Sequence, residues 1–142
     1  MNVESSVAQL RKENGNFIII LKYGAFYHTY DRDADLMSYV FDYKIKNREV
    51  GFPESAKDKI ANKLNMEKVN YIFVEYNSGE CITNLKKDFY EENKYLEIYS
   101  KAGKYFLLKN RIDEIHKYLL NNIYSSDIKQ KINNIEELLY GL

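Results

Sequence analysis

The residues with the most evident binding chemistry follow Gly24, where aromatic and imidazole side chains alternate along the chain. Alternate residues of an extended strand lie on one face, so Phe26, His28 and Tyr30 would point the same way. A phenyl ring supplies an apolar contact, and an imidazole donates or accepts hydrogen bonds near neutral pH. The pattern predicts a surface that contacts a ligand. The alternative is that the rings only pack, because aromatic residues are favoured in strands whatever they do.

Few residues could support catalysis. The chain has two histidines, His28 and His116, and one cysteine, Cys81. It has no Cys-x-x-Cys or His-x-x-x-His pair for zinc and no Gly-x-Ser-x-Gly turn for a nucleophilic serine. A dyad of Cys81 and His28 is conceivable, while acidic pairs such as Asp31 and Asp33 are typical of solvated helix faces. We therefore expect a protein that is not an enzyme and that uses no metal and no cofactor.

Charge is balanced over the chain. Lysine plus arginine and aspartate plus glutamate number 21 each, so no overall positive field attracts the protein to nucleic acid. Any basic surface must be local, and the clearest candidate is a basic cluster formed by Lys44, Lys46 and Arg48. These side chains would contact phosphates and position a nucleic acid, or they are ordinary solvated charges that protect a sheet edge.

The segment Gly24-Ala25-Phe26-Tyr27-His28 resembles the Gly-x-Phe-Tyr-Glu signature of the N-terminal mismatch-recognition domain of the MutS mismatch-repair family. The order of the following segments agrees with that family over about Ala8 to Asn77. The matching segments are an acidic helix start at Asp31–Ala34, a Gly-hydrophobic-Pro step at Gly51–Pro53, a basic amphipathic helix at Lys57–Leu64, and a strand at Val69–Tyr76 with Glu75 at its acidic place.

The resemblance implies a mixed sheet flanked by helices that binds duplex DNA at a mispair or a flexible step. Phe26 would be an apolar wedge that inserts beside a mispaired base from the minor groove, and Tyr27, its neighbour in the signature, would be a further DNA contact. Such insertion is easiest where the duplex deforms readily. His28 stands where the family has a glutamate that hydrogen-bonds the displaced base. Imidazole can donate as well as accept, so DNA binding could persist while mismatch discrimination weakens.

Strand and helix patterns over residues 1–80, with the mixed sheet that the resemblance implies, predict an α+β fold. Phe17 to Lys22 is apolar without alternation, which is typical of an interior strand. In a helix that follows Asp31, Asp33 and Asp35 would face solvent. The other predicted elements are a helix at Val3–Glu13, a hairpin at Tyr43–Phe52 that turns at Lys46-Asn47, a helix from Glu54 to about Met66, and a last strand at Val69–Tyr76.

Residues 81–142 predict a helical C-terminal appendage. From about Asn84 the apolar period changes to 3.6, which indicates three helices. The first would end near Gly103, the second carries a heptad-like seam from Tyr105 to Leu119, and the third begins near Ser125. Their apolar faces would pack on each other and on the sheet, or serve dimerisation or the docking of another protein.

Two hypotheses of function follow. The chain contains no Gly-x-x-x-x-Gly-Lys-Ser/Thr loop, so it would not hydrolyse ATP by the family's route and would act with a separate partner. The first hypothesis is a non-catalytic DNA-binding module. The second is an adaptor that kept the fold, lost the DNA role and binds a protein through helices over residues 84–140. One cysteine and an early apolar run of only five residues predict a cytoplasmic protein without a signal peptide or membrane span.

Overall fold

The computed structural model describes residues 2–141 and shows a five-stranded sheet with helices on both faces. The strands are β1 (Ile18–Tyr23), β2 (Phe26–Tyr30), β3 (Glu49–Pro53), β4 (Tyr71–Asn77) and β5 (Glu80–Lys87). The helices are α1 (Val3–Asn14), α2 (Arg32–Phe41), α3 (Lys57–Glu67), α4 (Lys94–Asn121) and α5 (Ile128–Tyr140), and a single 3-10 turn, Glu54–Ala56, precedes α3. The predicted α+β class is confirmed.

β1 is the central strand of a sheet whose order is β3-β2-β1-β4-β5. It pairs antiparallel with β2 and parallel with β4, in the register that places Ile18 beside Tyr71. The first four residues of β1 are buried because helices cover both faces of the sheet there. The prediction of an interior strand is confirmed, and the combination of parallel and antiparallel pairs is the mixed sheet that the resemblance implies.

Alternate residues of β1 contribute to two separate cores. Ile18 and Ile20 lie with residues of α2, α3 and the start of α4 on one face of the sheet. Ile19 and Leu21 pack against Leu10 of α1 on the other face, together with residues of β4. Because α1 covers β1 and β4, the same face of β2 keeps part of its surface open. This open face of β2 carries Phe26, His28 and Tyr30, as the alternation predicts.

A two-residue turn, Gly24-Ala25, joins β1 to β2 and determines their register. Gly24 has a φ of +67°, a backbone conformation that glycine adopts without strain. A glycine at the first position of such a turn is typical of type II′ hairpins, whose twist matches that of the paired strands. Tyr23 and Phe26 are consequently direct cross-strand neighbours.

Asp33 of α2 does not face solvent, so that prediction is wrong. It is 1% exposed. Its carboxylate accepts hydrogen bonds from the Arg11 guanidinium, from the Tyr95 hydroxyl at 2.5 Å and from the backbone N–H of Ile19 at 3.1 Å. Burial raises the pKa of the Asp33 carboxyl, and the positive charge of Arg11 together with these hydrogen bonds opposes the rise. One side chain thus connects α2 to α1, β1 and α4.

The hairpin predicted between residues 43 and 52 forms only in part: Lys46 and Glu49 exchange backbone hydrogen bonds across a two-residue turn, but only the second half of the segment is a strand. β3 pairs antiparallel with β2 from Phe26 beside Pro53 to Tyr30 beside Glu49. The preceding residues contribute an isolated bridge between Lys46 and Glu49. Tyr43 and Ile45 are partly buried against the core, so the alternation there reflects packing and not strand pairing.

The three helices predicted from Asn84 are two. Glu80–Lys87 forms β5, an exposed edge strand that pairs antiparallel with β4 and extends the sheet. α4 continues through Gly103, where the sequence predicted a helix end. A single glycine inside a helix costs only about 1 kcal/mol, which is too little to end a long one. The strand state of β5 depends on hydrogen bonds to β4, which local periodicity does not report.

The chain divides into two compact units, one up to Gly103 and the other from Lys104 onward. The sheet, its two cores and the hydrogen bonds of Asp33 to Arg11, Ile19 and Tyr95 all lie in the first unit. The domain boundary expected at residue 80 stays a prediction, and β5 belongs to the same sheet as the strands before it. Within residues 2–141, no helix has the length and apolarity needed to cross a membrane.

Candidate functional site

Phe26 begins β2 at the end of the sheet where the Gly24-Ala25 turn lies. Its side chain is 51% exposed, whereas the phenylalanines and tyrosines of the core are almost fully buried. Its cross-strand neighbours are Tyr23 on β1, which is also exposed, and Pro53 on β3. The phenyl ring is therefore accessible to a ligand, while the strand that carries it is held by two neighbouring strands.

His28 lies on the same face of β2 as Phe26. Its Nδ1 is 2.5 Å from Oε1 of Glu49 on β3, and its ring stacks on Tyr23 with 4.3 Å between the ring centroids. Because a carboxylate only accepts hydrogen bonds, Nδ1 is the donor, and Nε2 is the acceptor nitrogen of the neutral ring. Glu49 and Tyr23 thus fix both the orientation and the tautomer of His28.

Tyr30 continues this row of planar side chains. Its ring lies 6.3 Å from that of His28, and the two planes differ by 11°. Burial, and next the nearby Glu49 carboxylate, raise the pKa of the Tyr30 hydroxyl. We refer to Tyr23, Phe26, His28 and Tyr30 together as the aromatic row. At its Tyr30 end the row reaches a pocket of about 670 Å³ lined mainly by α1 and by residues 30–32, 47 and 48.

Tyr27 lies on the opposite face of β2 and is 2% exposed. Its ring stacks on Phe52 at 5.4 Å and meets Phe73 edge to face at 5.3 Å. Burial raises the pKa of its hydroxyl. A side chain enclosed in this way has no surface to offer DNA, so we remove Tyr27 from the candidate contacts. Its packing anchors β2 and thereby positions Phe26.

Lys46 and Arg48 of the basic cluster lie at the opposite end of β2 from Phe26, because Lys46 forms a bridge with Glu49 and Glu49 pairs with Tyr30. The three side chains of the cluster are exposed, and Nε of Arg48, 81% exposed, is 3.0 Å from Oδ1 of Asp31. Glu49 pairs with Tyr30, four residues after Phe26, so about 13 Å of strand separates Lys46 and Arg48 from Phe26. The structure therefore does not bring Lys46 and Arg48 together with Phe26, whereas Lys44 follows Tyr43, whose ring stacks on Phe52 at 5.9 Å. A duplex that touched both Phe26 and Arg48 would span about four base-pair steps.

The cysteine–histidine dyad considered from the sequence is not formed. Cys81 lies on β5 and His28 on β2, and two strands separate them in the sheet, which is about 14 Å. Within residues 2–141, no group of three or more histidine, cysteine, aspartate or glutamate side chains is arranged to hold a metal ion. The arrangement around Phe26 offers stacking, apolar insertion and hydrogen bonding.

A family model matches most of the sheet and the helices that cover it. The model for MutS domain I matches residues 2–77, which is more than half of the chain. The chain belongs to the MutS domain I family. MutS domain I is a non-catalytic DNA-binding domain with the fold used for mismatch recognition. The match covers the elements from α1 to β4 and includes the aromatic row and the basic cluster. No curated protein matches the chain.

Within the MutS domain I module, sequence reasoning missed two members of the site. Tyr23 could have been found, because a two-residue glycine turn makes the residue before it the cross-strand partner of Phe26. Glu49 left no such signal. Its position beside His28 depends on the register of β3 against β2, which follows from the packing of the whole strand and not from a local pattern.

Proposed function

We propose that this MutS domain I protein binds duplex DNA and senses sites where the duplex is mispaired or easily deformed. The observation that carries the proposal is the half-exposed ring of Phe26, held at the start of a paired strand within the matched module. Inserting such a ring between base pairs costs a few kcal/mol of unstacking, and a mispair lowers that cost. Selectivity would then arise from the deformability of the duplex.

Tyr23 and His28 support the wedge in this proposal. Tyr23 lies directly beside Phe26 and stacks on His28, so it limits the directions in which the Phe26 ring can retreat. Nε2 of His28 would accept a hydrogen bond from a displaced base, while Glu49 holds Nδ1. The family glutamate is thus replaced by the imidazole of His28, which is hydrogen-bonded to the carboxylate of Glu49. We expect the protein to prefer a mispaired duplex, but less strongly than a domain that has the glutamate.

The basic cluster would supply phosphate contacts in the same complex. Lys44 and Lys46 are exposed, and Arg48 would exchange its contact with Asp31 for a phosphate. Because the chain has equal numbers of basic and acidic residues, few phosphates would be neutralised and affinity would be modest. Positioning would come from these contacts and selectivity from Phe26.

The decisive experiment is equilibrium binding of the wild type and Phe26→Ala to labelled duplexes with and without one mispair or unpaired base, at low and at physiological salt. The matched control is Met66→Ala, which removes an exposed apolar side chain from α3. We expect Phe26→Ala to lose about 1–3 kcal/mol of preference for the defective duplex with unchanged salt dependence. Met66→Ala should behave as the wild type. No measurable binding to either duplex at low salt would disprove the DNA function.

A second candidate function is that of a protein-interaction adaptor. The observation that favours it is the concentration of exposed apolar side chains on α4 after Gly103 and on α5. In this case substitutions on those helices would abolish partner binding, and Phe26→Ala would have no effect on it. The two functions are compatible, because the proposed DNA contacts and these helices belong to different compact units.

A further inference from the structure

The unit that begins at Lys104 leaves most of its large apolar side chains in contact with solvent. Of the nineteen exposed large hydrophobic residues between residues 2 and 141, thirteen lie in this unit. A monomeric protein rarely exposes a contiguous apolar patch of more than a few hundred Å². Two helices of this kind also cannot enclose a core by themselves, so the unit requires further apolar surface to become stable.

The exposed residues of α4 form a seam. Leu108, Ile112 and Ile115 follow one another at steps of four and three, the spacing at which side chains of one helix insert between those of another. All three are exposed, and Ile112 is 64% exposed. The seam therefore has the spacing of a helix–helix contact, and its side chains remain exposed among residues 2–141.

α5 does not cover this seam along its length. It contacts α4 near the turn between the helices, where Lys131 Nζ lies 2.5 Å from the Tyr118 hydroxyl and 4.8 Å from the centre of its ring. Ile128, at the start of α5, is buried. Further along, Ile132, Leu138 and Leu139 are exposed. Both helices thus carry a stripe of apolar side chains. The helices contact each other near the turn, and beyond that contact the apolar side chains are exposed to solvent.

We propose that a second copy of this chain covers these stripes, so that α4 and α5 of two copies form a four-helix bundle. A fully exposed large side chain presents roughly 100 Å² of apolar surface. The thirteen side chains are exposed over about three fifths of their area, so together they present on the order of 800 Å² of apolar surface. A stable dimer buries about 800 Å² on each partner. The exposed area is what a two-fold symmetric dimer needs.

The charges of this unit also favour a second copy. Residues 104–141 carry six basic and five acidic side chains, so two copies approach without strong repulsion. The α4 part begins with Lys104, Lys109 and Arg111, whereas α5 ends with Glu136 and Glu137. A parallel arrangement would place the basic end of α4 of one copy near the acidic end of α5 of the other. A strongly charged partner, such as a nucleic acid, would find no complementary field here.

The test is sedimentation velocity of the full chain in reducing buffer over a range of concentrations. We expect a species of twice the 16.9 kDa chain mass at high concentration. Ile112→Lys should raise the dimer dissociation constant at least about tenfold, because it places a charge in the seam. Asn110→Lys is the matched control, since it adds the same charge at an exposed polar position two residues away. It should leave the dissociation constant unchanged.

A cross-linking variant covers the case in which Ile112→Lys does not fold. The chain has a single cysteine, so Cys81→Ser with Ile115→Cys leaves one thiol in the seam. Because residues near a two-fold axis meet their own counterparts, oxidation should join two copies, and Asn110→Cys in the same background should join few. A monomer at all concentrations, or equal effects of Ile112→Lys and Asn110→Lys, would overturn the proposal and leave the seam for a different protein.

Discussion

The imidazole of His28 and the carboxylate of Glu49 form a pair across two strands, with 2.5 Å between Nδ1 and Oε1. The family signature has a glutamate at the position of His28. In this protein a carboxylate is still close to that position, because Glu49 on the neighbouring strand hydrogen-bonds His28. In the sequence the two residues are 21 positions apart. The pairing of β2 with β3 brings them together and leaves Nε2 as the second nitrogen of an oriented ring.

The first prediction concerns this pair. His28→Glu places two carboxylates side by side in a partly buried position, and we expect it to lower the free energy of unfolding by about 2 kcal/mol. Glu49→Gln combined with it should recover most of the loss, because an amide can donate a hydrogen bond to the new carboxylate. Urea denaturation of the wild type, both single variants and the double variant measures the coupling. Simple additivity of the two single effects would show that the residues do not interact.

The second prediction concerns Asp33, which three donors from other elements hold in the core. Asp33→Asn removes the charge that balances Arg11 and should lower the free energy of unfolding by about 3 kcal/mol, as expected when one member of a buried pair is lost. Asp58→Asn, at an exposed position of α3, is the control and should change it by less than about 0.5 kcal/mol. Similar urea midpoints for the two variants would contradict a structural role for Asp33.

The third prediction concerns alkaline pH. Burial raises the pKa of the Tyr95 hydroxyl, and the Asp33 carboxylate raises it further. Burial likewise raises the pKa of the hydroxyls of Tyr27, Tyr30 and Tyr71. These groups ionise near pH 10 when the chain is unfolded but remain protonated in the fold. Stability is therefore fully present below about pH 10 and is lost as pH rises above it, because the unfolded chain releases protons that the folded chain retains.

Urea denaturation between pH 8 and pH 11 measures this dependence. Tyr95→Phe should reduce the alkaline slope by up to about 1.4 kcal/mol per pH unit, the contribution of one proton. Tyr124→Phe removes a hydroxyl from a fully exposed ring and serves as the control. A slope that is the same in the wild type and in Tyr95→Phe would show that the Tyr95 hydroxyl ionises equally in both states.

The fourth prediction separates phosphate contacts from recognition. Replacing both Lys44 and Lys46 by alanine should weaken binding to all duplexes and reduce the slope of log affinity against log salt by about 2. The preference for a mispaired duplex should not change, because contacts to phosphates position the duplex and carry no information about base pairing. Lys63→Ala on α3 is the matched control. If the preference for the mispaired duplex changed while the salt slope stayed the same, Lys44 and Lys46 would take part in recognition and not in phosphate contact.

Much of the fold was predictable from local pattern. The apolar run before Gly24 predicts an interior strand, and the alternation after Gly24 places Phe26 and His28 on one face and Tyr27 on the other. These features were readable because they depend on chain geometry over a few residues and on the burial of apolar side chains, which drives folding most strongly. The family signature added the expectation of a mixed sheet, which local pattern does not contain.

The rest depended on contacts between distant parts of the chain. An exposed edge strand and a solvated helix have similar side chains, so local pattern predicts a helix from Asn84, where the pairing with β4 makes a strand. Asp33 has the composition of a surface residue, and only the convergence of Arg11, Ile19 and Tyr95 makes its burial possible.

By itself the sequence determined the order of the family-like elements, the turn at Gly24 and the face on which Phe26 and His28 lie. The tertiary structure alone decided that Phe26 stays exposed, that Tyr27 is enclosed and that Glu49 reaches His28. The physical reason is that a strand's pattern defines two faces but does not say which elements cover them. Coverage is determined by how strands and helices far apart in the chain pack, since that packing removes apolar surface from water and pairs buried polar groups.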